Sequence, residues 1–90
     1  MVNVLLYGNL ASIAGGTSTS VDAGSVAETL NALSTRYGAD FHEKLYDRNG
    51  APRRFINIYV NGRDYRFLQK LETILSQGDE VSLIPAVSGG

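Results

Sequence analysis

The apolar residues Val2, Val4 and Leu6 recur with a period of two at the start of the chain. This spacing is typical of a strand that turns one face toward a core. Small and turn-forming residues fill positions 10–16, and the hydroxyl-rich run 17–22 favours a second extended segment. The two extended segments together predict an N-terminal hairpin.

A change to helical spacing follows at position 25. Ser25 and Glu28 have the form of a capping box, in which the serine oxygen accepts a helix N–H and the glutamate returns to the serine N–H. Apolar residues then recur three or four positions apart, and Gly38 is placed to end the helix. The stripe that packs on a sheet consists of Val26, Leu30, Leu33 and Tyr37.

The second half of the chain returns to extended patterns. Residues 39–47 favour one or two helical turns, and residues 55–60 are the most strand-like run of the sequence. Asn61-Gly62 is a strong hairpin signal, and we expect a returning strand over 63–67. A short helical turn within 68–75 and a last strand over 81–84, ended by Pro85, complete the order of elements.

This order predicts an α+β domain with a β-grasp fold: a mixed sheet of about five strands with one main helix packed on one face. The first and last strands then lie side by side in the centre of the sheet. We expect residues 1–85 to form the domain and residues 86–90 to form a flexible tail. At about 3.3 Å per residue, that tail reaches roughly 16 Å from the sheet.

Composition excludes several kinds of chemistry. The 90 residues include no cysteine and a single histidine, His42, so thiol nucleophiles, thiolate metal sites and histidine-dependent triads have few or no residues to use. Acidic and basic residues are interspersed and the net charge is −1, which argues against nucleic acid as a partner. No apolar run suits a membrane span or signal peptide, so we expect a cytoplasmic protein.

The last two residues, Gly89 and Gly90, are the sharpest chemical feature. A chain end without β-carbons can thread a narrow channel and present a bare α-carboxylate to another enzyme. If that carboxylate is adenylated with ATP, its acyl carbon becomes open to a sulfur or nitrogen nucleophile. The chain then needs no catalytic side chain, no metal and no cofactor of its own. The alternative is an idle chain end.

The sequence resembles the ubiquitin-like sulfur-carrier family of the MoaD/ThiS type. The resemblance covers the whole chain in element order, and its specific motifs lie in the second half: residues 57–61, the Gly-Asp-Glu-Val run 78–81 and the Pro-Ala-Val-Ser-Gly-Gly end 85–90. Among family members, the sulfur carriers of cysteine biosynthesis are the most similar.

The resemblance implies that an E1-like adenylyltransferase or sulfurtransferase activates the Gly90 carboxylate and converts it to a thiocarboxylate. Val87, Ser88 and Gly89 are then the tail residues that thread into the partner. The implied sulfur acceptor is a pyridoxal-phosphate-dependent cysteine synthase, followed by a metalloprotease, and ATP and pyridoxal phosphate belong to these partners. The alternatives are the small subunit of molybdopterin synthase, for which the implied acceptor is the large subunit of that enzyme, the thiamine sulfur carrier and a ubiquitin-like protein modifier.

A docking surface is predicted beside the tail. If Ile56, Ile58 and Val60 face the helix, alternate side chains point to the open face of the sheet. These candidates for partner docking are Phe55, Tyr59, Ile84 and Tyr7. The alternative is that loops cover them. The arginines at 53, 54, 63 and 66 could meet an acidic surface, although charges that flank a strand more often protect a sheet edge.

Overall fold

The structure is a computed structural model that describes residues 1–85, and the predictions made for residues 86–90 lie outside that range. The described part of the chain contains five strands and three α-helices. In order they are β1 (Val2–Leu6), α1 (Gly8–Ala14), β2 (Ser18–Val21), α2 (Val26–Tyr37), α3 (Ala39–Leu45), β3 (Ile56–Val60), β4 (Arg63–Asp64) and β5 (Glu80–Pro85). Two 3₁₀ turns, Tyr65–Phe67 and Lys70–Glu72, lie between β4 and β5.

The strands form one mixed sheet in the order β2-β1-β5-β3-β4. β1 and β5 are parallel neighbours in its centre, and each has an antiparallel partner on its outer side, β2 and β3 respectively. This is the predicted β-grasp arrangement, so the fold class is confirmed. Because β5 is a central strand, its last residue, Pro85, is held by the sheet on the β3 side through pairing with Ile56.

The core lies between one face of the sheet and the three helices. The alternating buried positions of β1, β3 and β5 meet the apolar stripe of α2, as predicted. The residues with no measurable exposure include Val4, Leu30, Leu33, Ile58, Val81 and Leu83. Each buried aliphatic side chain of this kind contributes about 1.5–3 kcal/mol relative to an exposed position.

The start of α2 follows the predicted cap with one difference. Ser25 Oγ accepts the backbone N–H of Glu28 at 3.2 Å, as a capping serine does. Glu28 Oε1 instead accepts the backbone N–H of Gly24 at 2.9 Å, one residue before the expected serine N–H. The reciprocal cap is therefore present but extends one residue farther back.

The prediction of a turn-rich segment over 10–16 was wrong. Residues Gly8–Ala14 form helix α1, and Leu10 on that helix is fully buried, with Ala11 and Ile13 packed against the same core. Gly15, at φ 76° and ψ 22°, ends the helix in the left-handed conformation that glycine adopts most easily. One buried leucine among small residues gives a weak periodic signal, although it is enough to fix a seven-residue helix against the sheet.

The returning strand predicted over 63–67 is also wrong in length. Only Arg63 and Asp64 pair with β3, and the chain then enters the 3₁₀ turn Tyr65–Phe67. The carboxylate of Asp64 accepts the backbone N–H of Arg66 at 2.9 Å, which caps this turn and ends the strand. The neighbouring prediction was correct, because Asn61 and Gly62 both have the positive φ of a tight hairpin turn, 52° and 84°.

Candidate functional site

The base of the C-terminal tail lies at one end of the two central strands. Pro85, the last residue of β5, pairs with Ile56 at the beginning of β3. Gly8, the first residue of α1, lies on the other side of Pro85. We call this end of the sheet, with Gly8, Pro85 and the groove described below, the exit end, because residues 86–90 are attached there.

Gly8 is a site residue that the sequence pattern indicated only weakly, as the residue after the first strand. Its φ of +58° is a conformation that residues with a β-carbon rarely adopt. A β-carbon built at this position would also lie 3.0 Å from Cγ of Pro85. The missing side chain therefore allows α1 to begin beside the last residue of β5 without displacing it.

The open face of the sheet carries partly exposed apolar side chains beside the exit end. In the strand register, Ser82 of β5 lies between Leu5 of β1 and Tyr59 of β3. In the next row Ile84 pairs with Asn57. These side chains are half-buried, because no helix of residues 1–85 covers this face.

Two of the four predicted docking residues are more exposed. Tyr7 continues β1 in an extended conformation at the level of Ile84 and is 44% exposed. Phe55 is 51% exposed, but it lies in the turn before β3 rather than in the strand. The structure therefore brings Tyr7, Tyr59 and Ile84 onto one face of the sheet and has Phe55 at its margin.

The opposite end of the central strands, which we call the turn end, is closed by hydrogen bonds. Asn61 Oδ1 accepts the N–H of Glu80 at 3.0 Å, and Asn61 Nδ2 donates to Asp79 Oδ1 at 3.2 Å. Asp79 Oδ2 accepts the N–H of Ser76 at 2.8 Å. The hydrogen bond from the Ser76 amide, and then that from Asn61, hold the pKa of Asp79 below its ordinary value. This geometry agrees with a structural role for the Gly78-Asp79 turn.

The remaining features considered in the sequence are the single histidine, a metal site, a membrane span and the reactive tail. His42 is exposed, and its ring lies 4.6 Å from the ring of Tyr46, whose pKa is raised by burial. Within residues 1–85, no cluster of histidine and carboxylate side chains could hold a metal ion. None of the helices in the same range is long and apolar enough to span a membrane. Gly90, Gly89, Ser88 and Val87, the predicted reactive tail, lie outside the described residues.

The sequence was compared with protein families and with named proteins. The model of the ThiS family matches residues 4–90. A protein of Archaeoglobus fulgidus, provisionally named as a sulfur carrier protein, is 44% identical over 66 residues, which are 73% of this chain and 74% of that protein. The sulfur carrier protein CysO of Mycobacterium tuberculosis is 37% identical over 78 residues, covering 84% of this chain and 83% of CysO.

Solved structures show the same fold. The solution structure of small archaeal modifier protein 1 from Methanosarcina acetivorans matches with a TM-score of 0.90 and 30% identity, covering 99% of this chain and 95% of that one. A crystal structure of a BexX/CysO complex from Amycolatopsis orientalis matches with a TM-score of 0.84 and 31% identity over the full length of both chains. The chain therefore belongs to the ThiS family and is a sulfur carrier protein with a ubiquitin-like β-grasp fold.

Proposed function

We propose that this chain carries sulfur in the cytoplasm as a thiocarboxylate at Gly90 and donates it in cysteine biosynthesis. The observation that carries the proposal is the family match, which runs through residue 90 and so includes the Gly89-Gly90 end. The similarity to proteins named sulfur carrier protein CysO supports the cysteine branch.

The chemistry takes place on the terminal carboxyl group. A carboxylate oxygen of Gly90 attacks the α-phosphorus of ATP on an E1-like adenylating enzyme, and pyrophosphate leaves. Sulfide then attacks the acyl carbon, so that a C–S bond forms, the C–O bond to the phosphate breaks and AMP leaves. These two substitutions convert the carboxylate to a thiocarboxylate without a net transfer of electrons.

The sulfur is then used by an acceptor enzyme. On a cysteine synthase that uses pyridoxal phosphate, the thiocarboxylate sulfur replaces the activating group of an activated serine: a C–S bond forms at the β-carbon, the C–O bond there breaks and the activating group leaves. A metalloprotease hydrolyses the product, which releases cysteine and restores the Gly90 carboxylate. ATP and pyridoxal phosphate act on the partner enzymes, so we propose that this chain is a carrier and not a catalyst.

The folded domain supplies the docking surface and the tail supplies the reactive group. Tyr7, Tyr59 and Ile84 give the partner an apolar face beside Pro85, with Phe55 at its margin. Apolar and aromatic side chains of this kind form the centres of protein interfaces. Val87, Ser88 and Gly89 then thread into the active site of the partner, since small residues fit a narrow channel. The similarity to a chain in a BexX/CysO complex supports docking of an enzyme on this domain.

Mass spectrometry of the intact chain tests this proposal. Incubation with the adenylating enzyme, ATP and sulfide should exchange one oxygen of the C-terminal residue for sulfur, and omission of ATP should prevent the exchange. A chain that lacks Gly90 is the matched control, and it should keep its fold but accept no sulfur. An unchanged mass of the full chain, or sulfur transfer by the truncated chain, would overturn the proposal.

Acceptor assays separate the alternative pathways. The isolated thiocarboxylate should yield cysteine with the synthase, whereas product formation by molybdopterin synthase or by thiazole synthesis would assign the chain to those pathways. The similarity to small archaeal modifier protein 1 favours a second candidate function, conjugation of Gly90 to lysines of other proteins. Isopeptide-linked conjugates that depend on Gly90 would support that function.

A further inference from the structure

A basic groove forms one side of the exit end and is not part of the open sheet face. Its volume is about 590 Å³, and residues from the loop before β3 and from the two 3₁₀ turns form its walls. The groove includes Ile56, the residue that pairs with Pro85. Its charged and aromatic lining consists of Arg53, Arg54, Phe55, Tyr65, Arg66 and Lys70.

Half of the eight lysine and arginine residues of the chain line this groove, although the chain has a net charge of −1. No carboxylate is among the lining residues found within positions 1–85. The nearest counter-charge is Asp64, which binds the guanidinium of Arg66, with Oδ2 at 2.7 Å from Nη2. The groove therefore keeps a strong local excess of positive charge.

Two of the four groove cations are bound by neighbouring groups of the fold, and the other two are available to bind a partner. Arg53 Nε donates to the carbonyl oxygen of Glu43 at 2.7 Å, and Asp64 fixes Arg66. Arg54 and Lys70 are exposed, and their side chains make no hydrogen bond or ion pair to any residue in the range 1–85. Fixed cations shape the groove, while Arg54 and Lys70 offer unpaired donors at its surface.

The backbone of Lys70 gives a second, independent observation. Its φ is +54°, and the only other non-glycine residue with a positive φ in the described range is Asn61, in the hairpin turn. A residue with a β-carbon is strained in this region, and glycine or asparagine is the common solution. Strain that is retained at an exposed position is typical of a residue kept for its side chain.

We propose that the basic groove binds an acidic segment of the adenylating enzyme, with carboxylates that pair with Arg54 and Lys70. This inference rests on the proposed function, because the enzyme that receives the tail must lie against the exit end. Arginine and aromatic side chains are enriched in protein interfaces, and Phe55 and Tyr65 supply the aromatic surface here. The groove is open to solvent and three of its four cations, Arg54, Arg66 and Lys70, are exposed, whereas a small-molecule site encloses most of its ligand.

Charge reversal tests the groove against an equal change elsewhere. The double variant Arg54→Glu, Lys70→Glu is compared with Lys44→Glu, Arg48→Glu, which changes the net charge equally at exposed positions outside the groove. For the groove variant we expect the Kd of the full chain for the adenylating enzyme, and the KM in ATP–pyrophosphate exchange, to rise about tenfold or more with kcat unchanged. The matched variant should stay within about threefold of wild type.

Lys70 allows a sharper test, because its structural and binding roles predict opposite results. Lys70→Gly removes the strain, so the melting temperature should stay the same or rise by up to about 4 °C, while the Kd rises roughly threefold or more. Lys70→Arg keeps the charge and should bind as wild type does. A lower melting temperature for Lys70→Gly with unchanged binding would assign Lys70 a purely structural role and overturn the proposal.

Carbodiimide coupling identifies the acidic partner directly. The reagent joins a lysine amine to a carboxylate with the loss of water, and the chain has only two lysines, Lys44 and Lys70. We expect a crosslink from Lys70, but not from Lys44, to an Asp or Glu of the adenylating enzyme, and Lys70→Arg should abolish it.

The outcomes separate the two proposals. If wild type is adenylated but the groove variant and its matched control bind equally, the groove proposal fails and the carrier function stands. If binding depends on the groove but Gly90 is never adenylated, the carrier function fails instead.

Discussion

The two ends of the central strand pair β1 and β5 differ in how their polar and exposed groups are used. At the turn end, side chains bind neighbouring backbone: Asn61 and Asp79 bridge the hairpin turn to the start of β5, and the N–H of Gly78 donates to the carbonyl of Met1 at 3.0 Å. At the exit end, the rings of Tyr7 and Phe55 and the groove cations Arg54 and Lys70 are exposed. Hydrogen bonds close one end of the sheet, and groups suited to a partner remain exposed at the other.

Under the proposed function, this difference assigns stability to the turn end and partner recognition to the exit end of the same two strands. The buried residues Val81 and Leu83 lie between the ends and hold β5 in the sheet. Substitutions at the turn end should therefore lower stability without changing activation of the tail. Substitutions at the exit end should change activation, with Gly8 as the one position where both effects are expected.

Gly8→Ala is expected to have the largest effect. The positive φ and the 3.0 Å approach to Pro85 Cγ together should lower the free energy of unfolding by about 2–4 kcal/mol. Displacement of Pro85 should also misdirect the tail and lower kcat/KM for adenylation about tenfold or more. Chemical denaturation and ATP–pyrophosphate exchange measure the two effects separately.

Gly15→Ala is the matched control for that substitution. Gly15 also has a positive φ, 76°, but a β-carbon there would have no atom within 4 Å. We expect Gly15→Ala to lower the free energy of unfolding by about 1–2 kcal/mol through backbone strain alone. Adenylation of the folded protein should be unchanged. Equal losses of activity in both variants would show that Gly8 acts through stability and not through Pro85.

Asn61 probes the turn end. Asn61→Ala removes both side-chain bonds, to Asp79 and to the Glu80 amide, and keeps the strained φ, so we expect unfolding to become easier by about 1–2 kcal/mol. Asn61→Gly removes the same hydrogen bonds but relieves the backbone strain, so it should lower the free energy of unfolding by less than Asn61→Ala does. Adenylation of either folded variant should match wild type, and a raised KM would break the proposed separation of the two ends.

Tyr59 tests the open sheet face with a smaller expected effect. Tyr59→Ala should raise the KM of the adenylating enzyme for this chain about fivefold, because a half-buried aromatic ring is removed from the docking surface. Tyr59→Phe keeps the ring and should behave as wild type. If the alanine variant has an unchanged KM, the open face is not the docking surface, whatever the groove binds.

The sequence predicted the central architecture because long, strongly periodic segments determine it. The alternating residues of β1 and β3 and the stripe of α2 each bury several side chains, so the local pattern and the tertiary structure agree. The segment Gly8–Ala14 shows the opposite case. It has a single fully buried residue, Leu10, and its helix depends on contacts with a core that the local sequence does not reveal.

The candidate site was predicted only in part, because the local pattern reveals the strands of the site and not its loops. Alternation along the strands places Tyr59 and Ile84 on the open face, but it gives no information about loops. Lys70 and Tyr65 join Arg53 and Arg54 in the groove only because β4 ends after Asp64 and the 3₁₀ turns bring that segment back. The contact of Gly8 with Pro85 likewise joins residues from opposite ends of the sequence.

Acid titration distinguishes the basic groove, through Asp64 and its partner Arg66, from the turn end by the cause of the pKa shifts, and this effect is the smallest. The pKa values of Asp79 and Asp64 both lie below the ordinary value, so each carboxylate stabilises the fold above about pH 4 and loses that stabilisation as the pH falls through its lowered pKa. The hydrogen bonds to Asp79 come from neutral donors, whereas those to Asp64 come mainly from the Arg66 guanidinium.

Salt at about 0.5 M should therefore move the pKa of Asp64, measured by NMR of the carboxyl carbon, toward its ordinary value and leave the pKa of Asp79 nearly unchanged. Arg66→Gln should reproduce the effect of salt on Asp64. Equal salt dependence of both aspartates would mean that ion pairing does not distinguish the groove from the turn end.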